Sequence, residues 1–217
     1  MTEPKLLPLL LTGVEAAATI AFALSGLIEA ARRRLDAVGV CMVAGLAAFG
    51  GGTLRDVLLD RRPFFWVEHA AWLWVLLALC LVAMSVLRAQ HFAPTERAMQ
   101  WPDALGLGLF SATGTQLALA QGLPAIVAVL MGVITAVFGG VLRDIVCNQI
   151  PSAFSDHRPY AVCAFAGGWV LVGAQALALP DGWGLLSAAA VASGLRAAAL
   201  LTGYQLPGWS SGQDNEG

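Results

Sequence analysis

The stretch Gly50-Gly51-Gly52-Thr53-Leu54-Arg55-Asp56 returns 88 residues later (139 − 51 = 88) as Gly139-Gly140-Val141-Leu142-Arg143-Asp144, with Pro63 and Pro151 following at the same offset. Each copy lies in an apolar run, where a glycine costs about 1 kcal/mol relative to alanine inside a helix. An arginine there carries an insertion cost of at least about 2.5–3.5 kcal/mol at the bilayer centre. Composition alone would not place such residues twice at matching positions. The ungapped shift extends outward, pairing Glu15 with Asp103, Phe22 with Phe110, Gly26 with Gly114, Glu68 with Asp156 and His69 with His157. Between 15–66 and 103–154 it gives 13 identities in 52 positions. The sequence therefore reads as a duplication.

The surroundings set the class. Of 217 residues, 58% are hydrophobic and 12% charged, with 24 glycines and a mean hydropathy of +0.74. A soluble domain runs nearer to 45–50% apolar and about 25% charged. This is the composition of an all-α integral membrane protein. Twelve Lys+Arg against 14 Asp+Glu, a formal charge of −2, leave no basic field for nucleic acid. Cys41, Cys80, Cys147 and Cys163 are scattered through apolar stretches and suggest neither a disulfide framework nor a metal site.

Apolar runs approaching the roughly 20 residues that cross a bilayer fall at 8–28, 37–59, 70–87, 103–121, 124–147, 160–179 and 182–204. Seven transmembrane helices are expected: repeat 1 over 8–87, repeat 2 over 103–179, a seventh helix at 182–204 and a polar tail at 205–217. Three spans per unit force the second copy to enter from the opposite side, so the repeats are inverted, an arrangement common among transport proteins. Lys5, Arg61 and Arg62 lie on one side, against Arg32, Arg33, Arg34, Arg88, Arg97 and Arg158 on the other. The positive-inside rule then puts the N-terminus outside the cell membrane and the C-terminus in the cytoplasm. Phe64, Phe65, Trp66, Trp72, Trp101, Tyr160, Trp183 and Tyr204 fall near span ends, as interfacial anchors do.

Gly50, Gly51, Gly52, Gly139 and Gly140 have two readings: close helix packing, or kinked or broken helices whose freed backbone lines a polar path. Arg55, Asp56, Arg143 and Asp144 must be paired or face water. Two-fold symmetry suggests cross-pairing, Arg55 with Asp144 and Arg143 with Asp56, because adjacent helix residues do not face one another. Glu15 and Asp103 read either as acids at helix N-termini or as vestibule charges that gather cations. Ser25, Thr113, Thr115, Gln116, Thr135 and Ser193 offer a light polar lining, although such groups also bond to their own helix. Arg196 has no repeat partner and either snorkels or serves the path. Small-residue rows (Ala17, Ala21 and Ser25; Ala104, Gly108 and Ala112) suit contacts between subunits. No HExxH, GxSxG or Walker motif occurs, and no enzyme activity is expected.

The double Gly-Gly-x-Leu-Arg-Asp pattern, in a chain of this length with seven apolar runs, resembles the prokaryotic branch of the trimeric intracellular cation (TRIC) channels, a domain that has also carried a glycine-transporter label. The resemblance covers roughly 10–205. It implies a homotrimer with a monovalent-cation pore in each protomer, between spans two and five kinked at the glycines, with K⁺ as main ion, Na⁺ as a second candidate, and no cofactor. The Lys-Glu-Val motif associated with animal members is absent. Arginines beside the path and the positive ends of helices favour carboxylates, so a secondary transporter of glycine or another small amino acid is the alternative. A protein with no conduit, in which the glycines only pack, is the third.

Overall fold

In a computed structural model, described over residues 6–89 and 95–207, the chain folds into helices: α1 (Leu6–Arg32), α2 (Ala37–Leu58), α3 (Phe65–Glu68), α4 (Ala71–Ala89), α5 (Glu96–Ala120), α6 (Ala125–Val146), α7 (Ser152–Ser155), α8 (Ala161–Ala176) and α9 (Asp181–Thr202). Among the described residues there is no strand. Lys5, the Arg88 side chain and residues 208–217 of the polar tail, which entered the expectations above, lie outside what is described. By length and composition α1, α2, α6 and α9 are each able to cross a membrane, while α4 and α8 hold shorter apolar runs. Leu9, Trp74, Leu81, Ile150, Leu177, Trp183 and Leu201 are all exposed. So much open apolar surface suits lipid and not water. The protein is a helical, multi-pass membrane protein.

Local signals set the helix ends. Asp36 caps α2 by accepting from Gly39 N at 2.8 Å, and Thr95 caps α5 by accepting from Ala98 N at 3.2 Å, each satisfying an orphan donor of a first turn. Pro124 and Pro180 precede α6 and α9. Gly203 closes α9 in the left-handed conformation, φ 68°, which glycine adopts without Cβ strain.

The most buried helix is α5, packed against α1, α6, α8 and α9. It is also the most polar inside, burying Gln100, Asp103, Ser111, Thr113, Thr115 and Gln116.

Contacts come in pairs related by the 88-residue shift. A Cβ on Gly51 would collide with the Thr135 carbonyl oxygen, and one on Gly139 with the Ala47 carbonyl oxygen; 47 and 135 are themselves 88 apart. With 47 against 139 and 51 against 135, α2 and α6 cross antiparallel in backbone contact. Gly26 meets Ala44 Cα at 2.8 Å and Gly114 meets Gly132 Cα at 3.0 Å, measured from an added Cβ, again 88 apart on both sides. The Phe22 and Phe110 rings stack with centroids 5.6 Å apart.

Three expectations are corrected. Both α2 and α6 run unbroken through their glycines, so these residues make close packing and not a broken helix. The small-residue rows act inside the chain: Ser25, Ala104 and Ala112 are buried, and a Cβ on Gly108 would meet Ala189 O at 2.5 Å in α9. Of these rows Ala17 alone is exposed. Finally Phe65, read as an interfacial anchor, is buried at 5% exposure, its ring closing over Gly52.

Carbonyl groups locked in a helix cannot swing aside as a side chain would. Gly51→Ala and Gly139→Ala should each destabilise the protein by about 1–3 kcal/mol, as overpacking does. Gly194→Ala, whose new methyl meets nothing within 4 Å, should be neutral or stabilising by up to about 1 kcal/mol. Thermal unfolding in detergent checks the contrast.

Candidate functional site

Arg55 and Arg143, both buried, each sit four residues beyond the close-packed glycine of their helix, Gly51 and Gly139. Because α2 and α6 run antiparallel, Arg55 and Arg143 leave their crossing in opposite directions. With 51 level with 135, Arg55 is level with residue 131, twelve residues from Arg143 (143 − 131 = 12), so at 1.5 Å per residue the two are separated by about 18 Å along the bundle. Neither can reach the other's aspartate, so the cross-pairing suggested by symmetry does not occur.

Both arginines pair within their own halves. Arg55 donates from Nε to Asp56 Oδ1 at 2.9 Å and from Nη1 to Glu15 Oε1 at 2.5 Å. Arg143 donates from Nε to Asp144 Oδ1 at 2.8 Å and from Nη1 to Asp103 Oδ1 at 2.6 Å. The acid lies 40 residues before the arginine in both cases. The neighbouring aspartate becomes a partner because its other oxygen is pinned from outside the helix. Asp56 Oδ2 accepts from Phe65 N at 2.9 Å, and Asp144 Oδ2 accepts from Ser152 N at 2.8 Å and Ser152 Oγ at 3.0 Å. The one-turn helices α3 and α7 thus orient the two aspartates.

Glu15 lies ten residues into α1 and Asp103 eight into α5, too deep for the dipole of a first turn. They are counter-ions of Arg55 and Arg143. Glu96, Asp144 and Asp156 line a polar cavity of about 480 Å³ with Arg32, Met99, Gln149, Ile150, Ser152 and Ser155. Glu15 and its partner Asp103 differ in one respect: the Glu15 side chain is 15% exposed, that of Asp103 only 4%.

Of the expected polar lining, only Ser25 joins a charged cluster, donating to Asp103 Oδ1 at 3.3 Å and accepting from Arg143 Nη1. Thr135 donates to Met131 O at 2.6 Å and Thr113 to Phe110 O at 3.4 Å, each in its own helix. Ser193 reaches Leu105 O at 3.4 Å and Gln116 accepts from Gln175 at 3.2 Å. Thr115 Oγ1 is buried without a partner, wedged against Gly132 and Gly168. Of the glycines, Gly140 alone borders a cluster, its added Cβ lying 3.5 Å from Asp103 Oδ1. Gly50 faces Leu142.

Arg196 does not snorkel. It is 2% exposed, donates to Pro159 O at 3.0 Å and holds Asp156 at 3.5 Å. Nor is Tyr160 an interfacial anchor: at 3% exposure its hydroxyl donates to Asp103 Oδ2 at 2.7 Å. Glu29, missed in the sequence, is fully buried and binds Arg32 at 2.5 Å and Arg33 at 2.9 Å. The signal was available, since an acid followed at three and four positions by arginines forms ion pairs on a helix.

A helical bundle with long apolar helices and buried, paired charges defines a polytopic membrane protein. A family model described as "Glycine transporter" matches residues 12–88 and again 100–176, and the chain belongs to this family, in its prokaryotic TRIC branch. The two matched stretches are themselves offset by 88 residues. The chain is 35% identical over 173 residues to a UPF0126 membrane protein of Vibrio cholerae, covering 78% of this chain and 70% of that one. It is 35% identical over 152 residues to the UPF0126 inner membrane protein YadS of Escherichia coli K12, covering 70% and 72%. Among solved structures it resembles the TRIC trimeric intracellular cation channel orthologue from Rhodobacter sphaeroides, with TM-score 0.82, 32% identity and coverage of 89% and 98%. It also resembles a prokaryotic TRIC channel crystallised in 0.5 M KCl, with TM-score 0.83, 25% identity and coverage of 92% and 100%.

Removing one member of a buried ion pair costs roughly 3–5 kcal/mol, because the other charge is left unpaired. Asp103→Asn should fall in that range and Glu15→Gln below it, given their exposures. A double-mutant cycle in thermal unfolding should give coupling between Arg143 and Asp103 and none between Arg55 and Asp144.

Proposed function

We propose that this chain is a monovalent-cation channel, not an enzyme, that carries mainly K⁺ and assembles as a homotrimer with one path per protomer. The observation that carries the reading is the charge count at the two ends of the α2–α6 crossing. Each cluster holds one buried arginine and two carboxylates, a formal charge of 1 − 2 = −1. Arg61 also approaches Asp56 at 3.4 Å but is 32% exposed, so water screens it. Weakly negative rings at low dielectric attract cations and repel anions. The arginines, which taken alone would favour anions, are outnumbered where they sit.

The likeness to cation channels supports the same reading. We place seven spans in the inner membrane as two inverted three-helix repeats plus α9, with the N-terminus outside, supported by the twofold family match and by the excess of arginines on one side. The path runs beside the α2–α6 contact, with the cavity around Asp144 and Asp156 as its cytoplasmic vestibule. We read the backbone contact between α2 and α6 as that of a closed path. The glycines are the points at which these helices bend when it opens, since only they bring the backbones together without a Cβ between.

Purified protein in planar bilayers under asymmetric KCl should give unitary current steps reversing near the K⁺ equilibrium potential, and Glu15→Gln should move the reversal toward that of Cl⁻. Reversal of the wild type at the chloride value would overturn the proposal, and glycine counterflow without unitary steps would replace it with a carrier.

A further inference from the structure

The two clusters are alike in their arginine and two acids but not in what closes them. Glu15 has an edge open to solvent. Asp103 has none: its Oδ1 takes Arg143 and Ser25, and its Oδ2 takes the Tyr160 hydroxyl. Trp72 stands 88 residues before Tyr160 and packs among apolar residues near α2 and α4. The tyrosine cap is therefore an addition to one half only.

What holds the cap comes from α9. The Arg196 guanidinium lies 4.8 Å from the Tyr160 ring centroid, in range for a cation–π contact. Its Nη1 donates to the carbonyl of Pro159, the residue before Tyr160. Its Nη2 holds Asp156, which lines the polar cavity. One side chain thus fixes the tyrosine ring, the backbone leading into it and an acid at the cavity wall. Met99, on the same wall, is one helical turn before Asp103 on α5, so Asp103 lies just behind that wall.

We propose that Tyr160 is a latch on Asp103 and that Arg196 is its positioning residue. With the hydroxyl in place Asp103 offers no oxygen to an ion. With it withdrawn, Oδ2 becomes a cation ligand one turn beyond the vestibule. The inference rests on the channel reading above for its consequence, and on the geometry alone for the latch. Neither Tyr160 nor Arg196 would then set selectivity; they would set how often the inner end is open.

The test pairs two readouts on the full-length protein. Water-soluble carbodiimide with glycine ethyl ester, followed by peptide mass spectrometry, reports access to Asp103, with buried Glu29 as internal reference. Bilayer recording reports open probability. Tyr160→Phe, which removes only the hydroxyl, and Arg196→Gln should each raise Asp103 labelling about fivefold, the population change that loss of one hydrogen bond brings, with Glu29 unchanged. Open probability should rise by a similar factor at unchanged unitary conductance. Arg196→Lys should return both readouts toward wild type, and the double variant should exceed neither single one. Unchanged Asp103 labelling in Tyr160→Phe, or labelling that rises equally at Glu29, would overturn the latch. Absence of any unitary current in the wild type would overturn the channel reading, and the labelling would still decide the latch.

Discussion

Two helix backbones in contact inside an apolar bundle impose a strict condition: at the point of closest approach neither may carry a Cβ toward the other. Gly51 against the Thr135 carbonyl and Gly139 against the Ala47 carbonyl meet that condition twice, in mirror order along antiparallel helices. In lipid, where the hydrophobic effect gives helices no reason to associate, such close packing is itself the source of association. It also fixes where everything else goes. The residues four places on, Arg55 and Arg143, emerge on opposite sides of the crossing, and each must find counter-charges from its own surroundings.

Those counter-charges explain the small helices and part of the loops. A guanidinium in a low-dielectric setting is tolerable only if its donors are matched. Asp56 and Asp144 supply one match each, and α3 and α7 aim them by offering backbone N–H groups to the second carboxylate oxygen. Glu15 and Asp103 supply the other match from the preceding long helix. Four carboxylates around two arginines leave an excess of negative charge at both ends of the crossing, which is why arginine-bearing helices are compatible with cation passage.

Much of this was legible before any coordinates. The 88-residue shift locates the equivalent contacts, and the apolar runs 37–59 and 124–147 differ from α2 and α6 by one residue at most ends. Apart from Glu29, the buried charged residues were found as a set, but their partners were not. The rule that neighbours on a helix do not face each other holds for short side chains. It fails for an arginine long enough to fold back onto an aspartate that α3 or α7 has turned toward it. Symmetry then pointed to the wrong partner, because a shift by a fixed number of residues says nothing of which way two helices run past one another. Tyr160 and Arg196 were unreadable for a further reason: their roles depend on α9, which has no counterpart in the duplication.

The same pairing bears on the carrier alternative implied by the family's glycine-transporter label. Capture of an amino-acid carboxylate by arginine works best through two parallel N–H bonds from one edge of the guanidinium. In Arg143 both Nε and Nη1 are taken by aspartates, leaving Nη2 as a single buried nitrogen without a partner. In Arg55 the Nη2 atom lies 2.8 Å from Asp56 Oδ1, already within the field of that carboxylate. A substrate carboxylate would have to displace one of these acids and would meet the negative charge of the other. An incoming cation meets two carboxylates against one guanidinium in each cluster, so the balance of charge favours its approach.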